Sequence, residues 1–355
     1  MGQRQEKSYD AWVGVDVSKE TLEAGVVVGH EEVQLRELRL ESFARTKAGS
    51  AEVLRWAEEC AASRMQGVEE RPRLLVVMEA TGRYSLELAA WLLTVSPSVR
   101  LAIINPAQAK AYQQSLGVRN KTDQVDARCL ALYGRERNPR PYVPPSPELA
   151  ELQALSRQRD VLLSTLVAER QRARNSSPSK LLTRIQKDHI RYLEHQIHKI
   201  EEAMEQVVAR SEQLTRDVEL LDSIPGVGRK TAIVILAELG DLRRFERARQ
   251  VSAFAGLSPR KHQSGTSIHK RTRLCKQGNP RIRTALYMAT LSIIGRNNPL
   301  ASYYQALVEK GKAKPAAMGA VMRKMLVLMR ALVRSATPYQ SDYYNSRQSL
   351  AKGCA

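Results

Sequence analysis

Two aspartates three residues apart, Asp123 and Asp126, follow Thr122 in the run Arg119-Asn120-Lys121-Thr122-Asp123-Gln124-Val125-Asp126-Ala127-Arg128. Thr122 can cap a helix, and residues at i and i+3 share a helix face, so the two carboxylates project side by side. On a solvated face their repulsion costs roughly a few tenths of a kcal/mol; in a cleft it is tolerable mainly with a divalent cation between them. An ordinary helix start, where acids suit the dipole, is the competing reading. Asp16, among Val and Gly in Ala11-Trp12-Val13-Gly14-Val15-Asp16-Val17, is costly to bury unless it is paired or binds a cation. Glu79 closes the apolar run Leu74-Leu75-Val76-Val77-Met78. The C-terminal end of a core strand is where open α/β sheets place chemistry, although a strand-end Glu can also serve as a simple cap.

The elements that must carry these acids follow from periodicity. Residues 11–17 read as a buried strand, with residues 23–29 and 33–40 as antiparallel neighbours. A helix over 50–62 precedes the strand at 74–78, and another helix begins near Tyr84. A strand at 101–104 leads to Asn105-Pro106, which opens a helix, and then to the helix of the aspartate pair. Three strands, helix, strand, helix, strand, helix, helix, with acids on strand one, strand four and a late helix, is the ribonuclease H-like nuclease layout.

Four stretches make that likeness specific: Gly14-Val15-Asp16-Val17-Ser18-Lys19, Met78-Glu79-Ala80-Thr81-Gly82-Arg83-Tyr84, Ile104-Asn105-Pro106, and residues 119–128. They resemble the DEDD motifs of one insertion-sequence transposase family. These are the RuvC-like, bridge-RNA-guided recombinases, also called the insertion sequence one-hundred-ten family, and the resemblance spans residues 11–337. It implies that Asp16, Glu79, Asp123 and Asp126 hold Mg²⁺, with Mn²⁺ as an alternative; oxygen donors without His or Cys suit these ions better than zinc. It also implies cleavage and rejoining of donor and target DNA, a structured noncoding guide RNA from the same element, and a homodimer assembling into a homotetramer.

The chain of 355 residues allows two or three domains, and its net charge of +19 exceeds what solubility requires, which points to a polyanionic partner. Between Arg243 and Arg283 there are twelve Lys or Arg against the single acid Glu246, the clustering of a phosphate-backbone footprint. Aromatics are 5% of residues, so contact with RNA should rest on shape and backbone more than on base stacking. Four scattered cysteines without a CxxC argue against a disulfide framework or zinc site. With no apolar run near the ~20 residues of a membrane span, the expected location is the bacterial cytoplasm, nucleoid-associated when bound to DNA, with no membrane contact.

Residues 139–147 hold five prolines and form the expected linker. A charged helix over 148–174 breaks at Asn175-Ser176-Ser177-Pro178. Beyond it Ile190, Leu193, Ile197, Ile200, Met204, Val207, Ser211 and Leu214 make a heptad seam. An intramolecular helical hairpin and a dimerising coiled coil both accommodate that seam, and its narrow stripe favours the dimer. Ile224-Pro225-Gly226-Val227-Gly228-Arg229-Lys230 resembles a helix-hairpin-helix turn that grips nucleic-acid backbone, although a plain interhelical turn also explains Pro-Gly-x-Gly. In the resembled family Phe254-Ala255-Gly256-Leu257-Ser258-Pro259-Arg260 followed by Ser264-Gly265 marks the transposase domain. The nucleophile then falls on Ser264, with Ser258, Thr266 and Ser267 as the positions a misalignment would confuse with it. Without that family, Ser-Gly is a surface turn. The candidate nucleic-acid contacts are Arg119, Lys121, Arg128, Gly226, Gly228, Arg229, Lys230, Arg260, Lys261, Lys270, Arg271, Arg273, Lys276, Arg281 and Arg283. Met318, Met322, Met325 and Met329 on a helix over 314–336 read as core.

The expected fold is therefore α/β plus α. It comprises an N-terminal RNase H-like (RuvC-like) domain over 1–145, a helical coiled-coil middle over 146–217, and a mainly helical transposase domain over 218–337. Residues 338–355 form a polar, disordered tail. Two rivals remain: a junction-resolving or DDE-like nuclease that uses the carboxylates and activated water without the serine, and a non-enzymatic basic DNA-binding protein.

Overall fold

The structure, a computed structural model, describes residues 9–31, 33–63, 71–118, 122–174, 179–264 and 268–340. The chain divides into two compact units, Met1–Pro144 and Pro145–Ala355. The first runs β1 (Ala11–Val17), β2 (Thr21–Val28), β3 (Arg39–Ala44), α1 (Lys47–Ala62), β4 (Leu74–Glu79), α2 (Arg83–Val95), β5 (Arg100–Ile104), α3 (Pro106–Ser115) and α4 (Asp123–Arg137). Its strands lie in the order β3-β2-β1-β4-β5, with β1, β2 and β3 antiparallel and β1, β4 and β5 parallel. That is the RNase H-like arrangement expected from the sequence. The second strand and first helix start two to three residues earlier than expected, and one boundary differs more. The third strand was expected over 33–40, but the chain first makes a 3-10 turn at Leu35–Glu37 that carries Leu38 into the core, and the strand begins only at Arg39.

Alternation along the strands sorts the two sheet faces. Ala11, Val13, Val15 and Val17 pack with Val53, Leu54 and Ala57 of α1 and Leu88 and Leu92 of α2. Trp12, Leu75 and Val77 face the other way, against Ala109 and Tyr112 of α3 and Leu130 and Ala131 of α4. The second layer comes unusually close to the sheet. Gly14 of β1 and Gly25 of β2 are register partners, and a methyl group on Gly14 would lie 2.1 Å from the Ala127 carbonyl oxygen and 2.3 Å from the Ala131 nitrogen. The paired glycines are a floor on which the backbone of α4 rests.

The second unit contains α5 (Pro147–Arg174), α6 (Lys180–Ala209), α7 (Glu212–Asp222), α8 (Arg229–Leu239), α9 (Ala248–Phe254), β6 (Pro259–Ser264), β7 (Ile268–Leu274), α10 (Pro280–Ile294), α11 (Pro299–Glu309) and α12 (Lys314–Ser335). The heptad stripe of α6 has a partner in its own chain. Leu193 and Ile197 pack on Leu166 of α5, and Met204 and Val207 share a core with Leu152. The stripe ends at Val207, because Ser211 breaks the helix and caps α7 by accepting from the Leu214 N–H. The boundary expected at residue 217 falls inside α7. Met318, Met322, Met325 and Met329 are buried as expected. The antiparallel hairpin β6–β7 and the helix α11 were not foreseen from the sequence. At the far end the Tyr339 N–H donates to the Ser223 hydroxyl at 2.9 Å, so the expected tail is still tied down there.

Gly14→Ala should push α4 off the sheet and destabilise the protein by about 3 kcal/mol, the upper range for an overpacked core. Gly228→Ala, where the added methyl meets open space, should stay within about 0.5 kcal/mol. Urea unfolding of the two variants beside the wild type measures the difference.

Candidate metal centre and nucleic-acid interface

Asp16 follows Trp12 and Gly14 on the β1 face beneath α4, and Glu79 follows Leu75 and Val77 onto the same face of β4. The two acids come directly after the parallel pair Val15 and Met78, which places them side by side at the carboxyl ends of adjacent strands. Thr122 caps α4 by accepting from the Val125 N–H, so Asp123 and Asp126 fall in its first turn. Glycine contact further along α4 fixes that first turn over the strand ends.

The electrostatics report convergence. The Asp16 carboxyl is pushed up to about 6, first by burial and then by the negative charges of Asp123, Asp126 and Glu79, against a lowering contribution from the Val17 backbone. Glu79, Tyr112, Gln113, Asp126, Cys129 and Tyr133 line one pocket. In it the Gln113 amide donates to Asp126 Oδ1 at 2.6 Å. Burial and the Asp126 charge push the Cys129 thiol up to about 11, which keeps it a neutral packing group. Among the described residues no three His, Cys, Asp or Glu side chains are already drawn together as a ligand cluster. The residues nevertheless fit a hard divalent cation: four carboxylates repel across one half-buried site, and nothing but oxygen is offered as donor.

The second unit sorts the expected nucleic-acid contacts. Ser264 is the last residue of β6, opposite Ile268 at the tip of the hairpin, and Gly265, Thr266 and Ser267 lie outside the described residues, as do Arg119 and Lys121. Lys261, Lys270, Arg271 and Arg273 stand along the two hairpin strands, and Arg260 and Lys276 are exposed at its base. Gly226, at φ +83°, turns the chain between α7 and α8, and a side chain there would strike Ile293; Gly228 precedes α8 over open space. Other cations serve the fold. Arg283 donates to the carbonyls of Ala255 and Gly278, Arg281 pairs with Asp160, and Arg243 grips the buried Asp217 through two 2.7 Å bonds. Arg281 and Arg283 thus have acceptors within the fold, Asp160 for one and the loop carbonyls of Ala255 and Gly278 for the other. Arg128 is half-buried, with its backbone nitrogen against Gly25 and its Nε enclosed without a hydrogen-bond partner.

Comparison with known proteins decides the family. A model described as "Transposase" for the DEDD domain of IS110 elements matches residues 13–186, and one described as "Transposase IS116/IS110/IS902 family" matches residues 218–305. The pilin gene-inverting protein of Moraxella bovis is 32% identical over 329 residues, covering 92% of this chain and 97% of that protein. The chain belongs to the IS110 family of transposases. The transposase is also 26% identical to the one for insertion sequence element IS1111A of Coxiella burnetii, over 74% of this chain and 78% of that one. A Thermus thermophilus RuvC structure aligns with 37% of the chain at 15% identity and a TM-score of 0.25. The fold assignment comes from strand order and from the placement of the acids.

Sequence reasoning missed Gln113, whose neighbourhood in α3 carries no chemical signature; only folding brings it to Asp126. It also missed the device that holds the serine hairpin. Gly256 and Gly278 touch so closely that a methyl on Gly278 would lie 2.4 Å from the Gly256 nitrogen, Arg283 ties both loops, and Asn279 donates to the buried Glu238 at 2.6 Å. Arg283→Ala should therefore speed amide hydrogen exchange in residues 255–264 and 268–278 at least tenfold while leaving that of α5 unchanged. In the metal-free transposase, stability should fall as pH rises from 4 to 6, because folding holds a proton on Asp16 that the unfolded chain releases. Asp16→Asn should accordingly raise stability at pH 7.5 by about 1 kcal/mol, after discounting for solvent screening. Thermal melts of both proteins from pH 4 to pH 7.5 provide the check.

Proposed function

We propose that this transposase is an RNA-guided DNA recombinase that cleaves and rejoins the strands of an insertion sequence and its target through a covalent phosphoserine. As a member of its family it is a DNA-recombining enzyme. The observation that supports its metal-dependent part is the placement of Asp16 and Glu79 at the carboxyl ends of adjacent parallel strands, with Asp123 and Asp126 in the capped first turn of α4. These four would hold Mg²⁺, with Mn²⁺ as an alternative. The bound ion supplies neutralisation of the scissile phosphate and eases removal of the serine proton.

Ser264 Oγ then bonds to phosphorus as the bond from phosphorus to one deoxyribose oxygen breaks, and that oxygen leaves as a hydroxyl carrying the proton. One phosphodiester replaces another, so no external energy source is required, and attack by a different strand's hydroxyl releases the serine. Rejoining in a new order suits a relative named for inverting a pilin gene. Lys261, Lys270, Arg271 and Arg273 share the hairpin strands with Ser264 and would draw the phosphate and stabilise its transition-state charge. Arg260 and Lys276 at the hairpin base, with Gly226, Gly228, Arg229 and Lys230 at the α7–α8 turn, would add sequence-independent backbone contacts. The guide would be a structured noncoding RNA, held by charge and shape. The enzyme would act as a homodimer assembling into a homotetramer, as the family resemblance implies.

Denaturing gels of the enzyme on a nicked substrate should show a protein–DNA adduct that Ser264→Ala abolishes and that Ser258→Ala, Thr266→Ala and Ser267→Ala retain. Cleavage at full rate by Ser264→Ala would transfer the reaction to activated water. Asp126→Asn should lower the rate at least 100-fold without loss of DNA binding. RNA recovered after protease digestion should be one defined species, whereas random fragments would remove the guide from the account.

A further inference from the structure

The Asp126 carboxylate is held from outside its own helix. Gln113 of α3 donates through Nε2 to Asp126 Oδ1 at 2.6 Å, at the short end for a donor meeting a charged acceptor. An ionised carboxylate can only accept, which fixes the amide with its NH2 toward Asp126. The helix that carries the amide is itself fixed. Asn105 caps α3 by accepting from the Ala107 N–H, Ala109 and Tyr112 are buried in the core that includes Trp12 and Leu75, and the Tyr112 ring meets Tyr133 of α4 edge to face with centroids 5.3 Å apart. Gln113 stands one turn after Ala109 and so leaves α3 on its packed side. Asp126, Cys129 and Tyr133, at steps of three and four along α4, line the same pocket as Gln113, and Glu79 joins them there.

We infer that Gln113 is a positioning residue of the metal centre, its neutral amide holding the Asp126 carboxylate in place against the repulsion of the other acids so that a divalent cation meets a preformed ligand. The inference rests on the reading of Asp16, Glu79, Asp123 and Asp126 as the metal ligands and deepens it. With no ion bound, like charge turns Asp126 away from Asp16 and Glu79, and the side chain must be reordered each time an ion arrives. A donor on a neighbouring, well-packed helix removes that ordering cost. The chemistry of the donor matters. A lysine or arginine at this position would hold the carboxylate equally well but would cancel the negative charge that the cation needs, whereas an amide orients the group and leaves its charge whole.

Mn²⁺ binding to the full-length, DNA-free transposase, followed by loss of the free-ion signal in electron paramagnetic resonance, provides the test. Gln113→Met keeps the length of the side chain and removes the donor, and it should weaken Mn²⁺ binding about tenfold or more. Gln114→Met, one residue on at an exposed position, should bind as the wild type does. Added to Asp126→Asn, whose weaker binding is followed to millimolar Mn²⁺, Gln113→Met should cost less than about twofold further, because the group it acts through is gone. A residue that merely held α3 in the fold would subtract equally in both backgrounds. Melting temperatures of the metal-free variants confirm that folded protein is compared, and Gln113→Ala makes the same comparison should the thioether disturb α3. Unchanged affinity in Gln113→Met, or an equal loss in Gln114→Met or on top of Asp126→Asn, would overturn the role of Gln113 while Asp16→Asn, by losing Mn²⁺, keeps the metal centre standing. Asp16→Asn binding as tightly as the wild type would overturn the metal centre, and the role of Gln113 with it.

Discussion

The contact between α4 and the glycine pair Gly14 and Gly25 is the constraint on which the candidate site depends. A helix usually rides on a layer of side chains; here its backbone rests on the strands, within 2.1 Å of where a Gly14 methyl would stand. That depth brings the first turn of α4, with Asp123 and Asp126, down to the strand ends that carry Asp16 and Glu79. The burial of Asp16 and its repulsion from Asp123, Asp126 and Glu79 are a cost the fold accepts, visible in the elevated Asp16 carboxyl, and of the kind a bound cation offsets. Stability and chemistry thus oppose one another at this one place.

The second unit shows why net charge is a coarse guide to binding. A run of cations from Arg243 to Arg283 looks like one footprint, yet Arg243, Arg281 and Arg283 are committed to Asp217, Asp160 and the loop carbonyls of Ala255 and Gly278. In the proposed reading the phosphate contacts centre on the hairpin strands around Ser264 with exposed Arg260 and Lys276, while Arg229 and Lys230 at the α7–α8 turn are themselves paired with Glu205 and Glu201. The internal ties have a role of their own, since they hold the base of that hairpin through Gly256, Gly278, Asn279 and Glu238.

Legibility in the sequence followed locality. The buried strands β1 and β4 announced themselves by apolar runs, and α3 and α4 by Asn105 and Thr122, because strand patterning and caps are written in adjacent residues. The hairpin β6–β7 was missed since Pro-Arg-Lys-His-Gln-Ser and Ile-His-Lys-Arg-Thr-Arg-Leu lack apolar alternation, and its pairing depends on loops clamped from α8 and α10. The α6 seam was legible as a stripe, but which helix covers it was not, and α5 of the same chain does so. Gln113 and the fate of each arginine were beyond reach for one reason: their partners are set by the fold, up to 121 positions away in the case of Arg281 and Asp160.

The central claim is that the glycine-seated helix makes one cation site from four acids on separate elements. Anomalous scattering from crystals of the DNA-bound transposase grown with Mn²⁺ tests it most directly. The account predicts a manganese peak bounded by Asp16, Glu79 and the α4 aspartates, abolished in Asp16→Asn. A peak elsewhere, or those four carboxylates taken up by lysine and arginine with no ion between them, would contradict it.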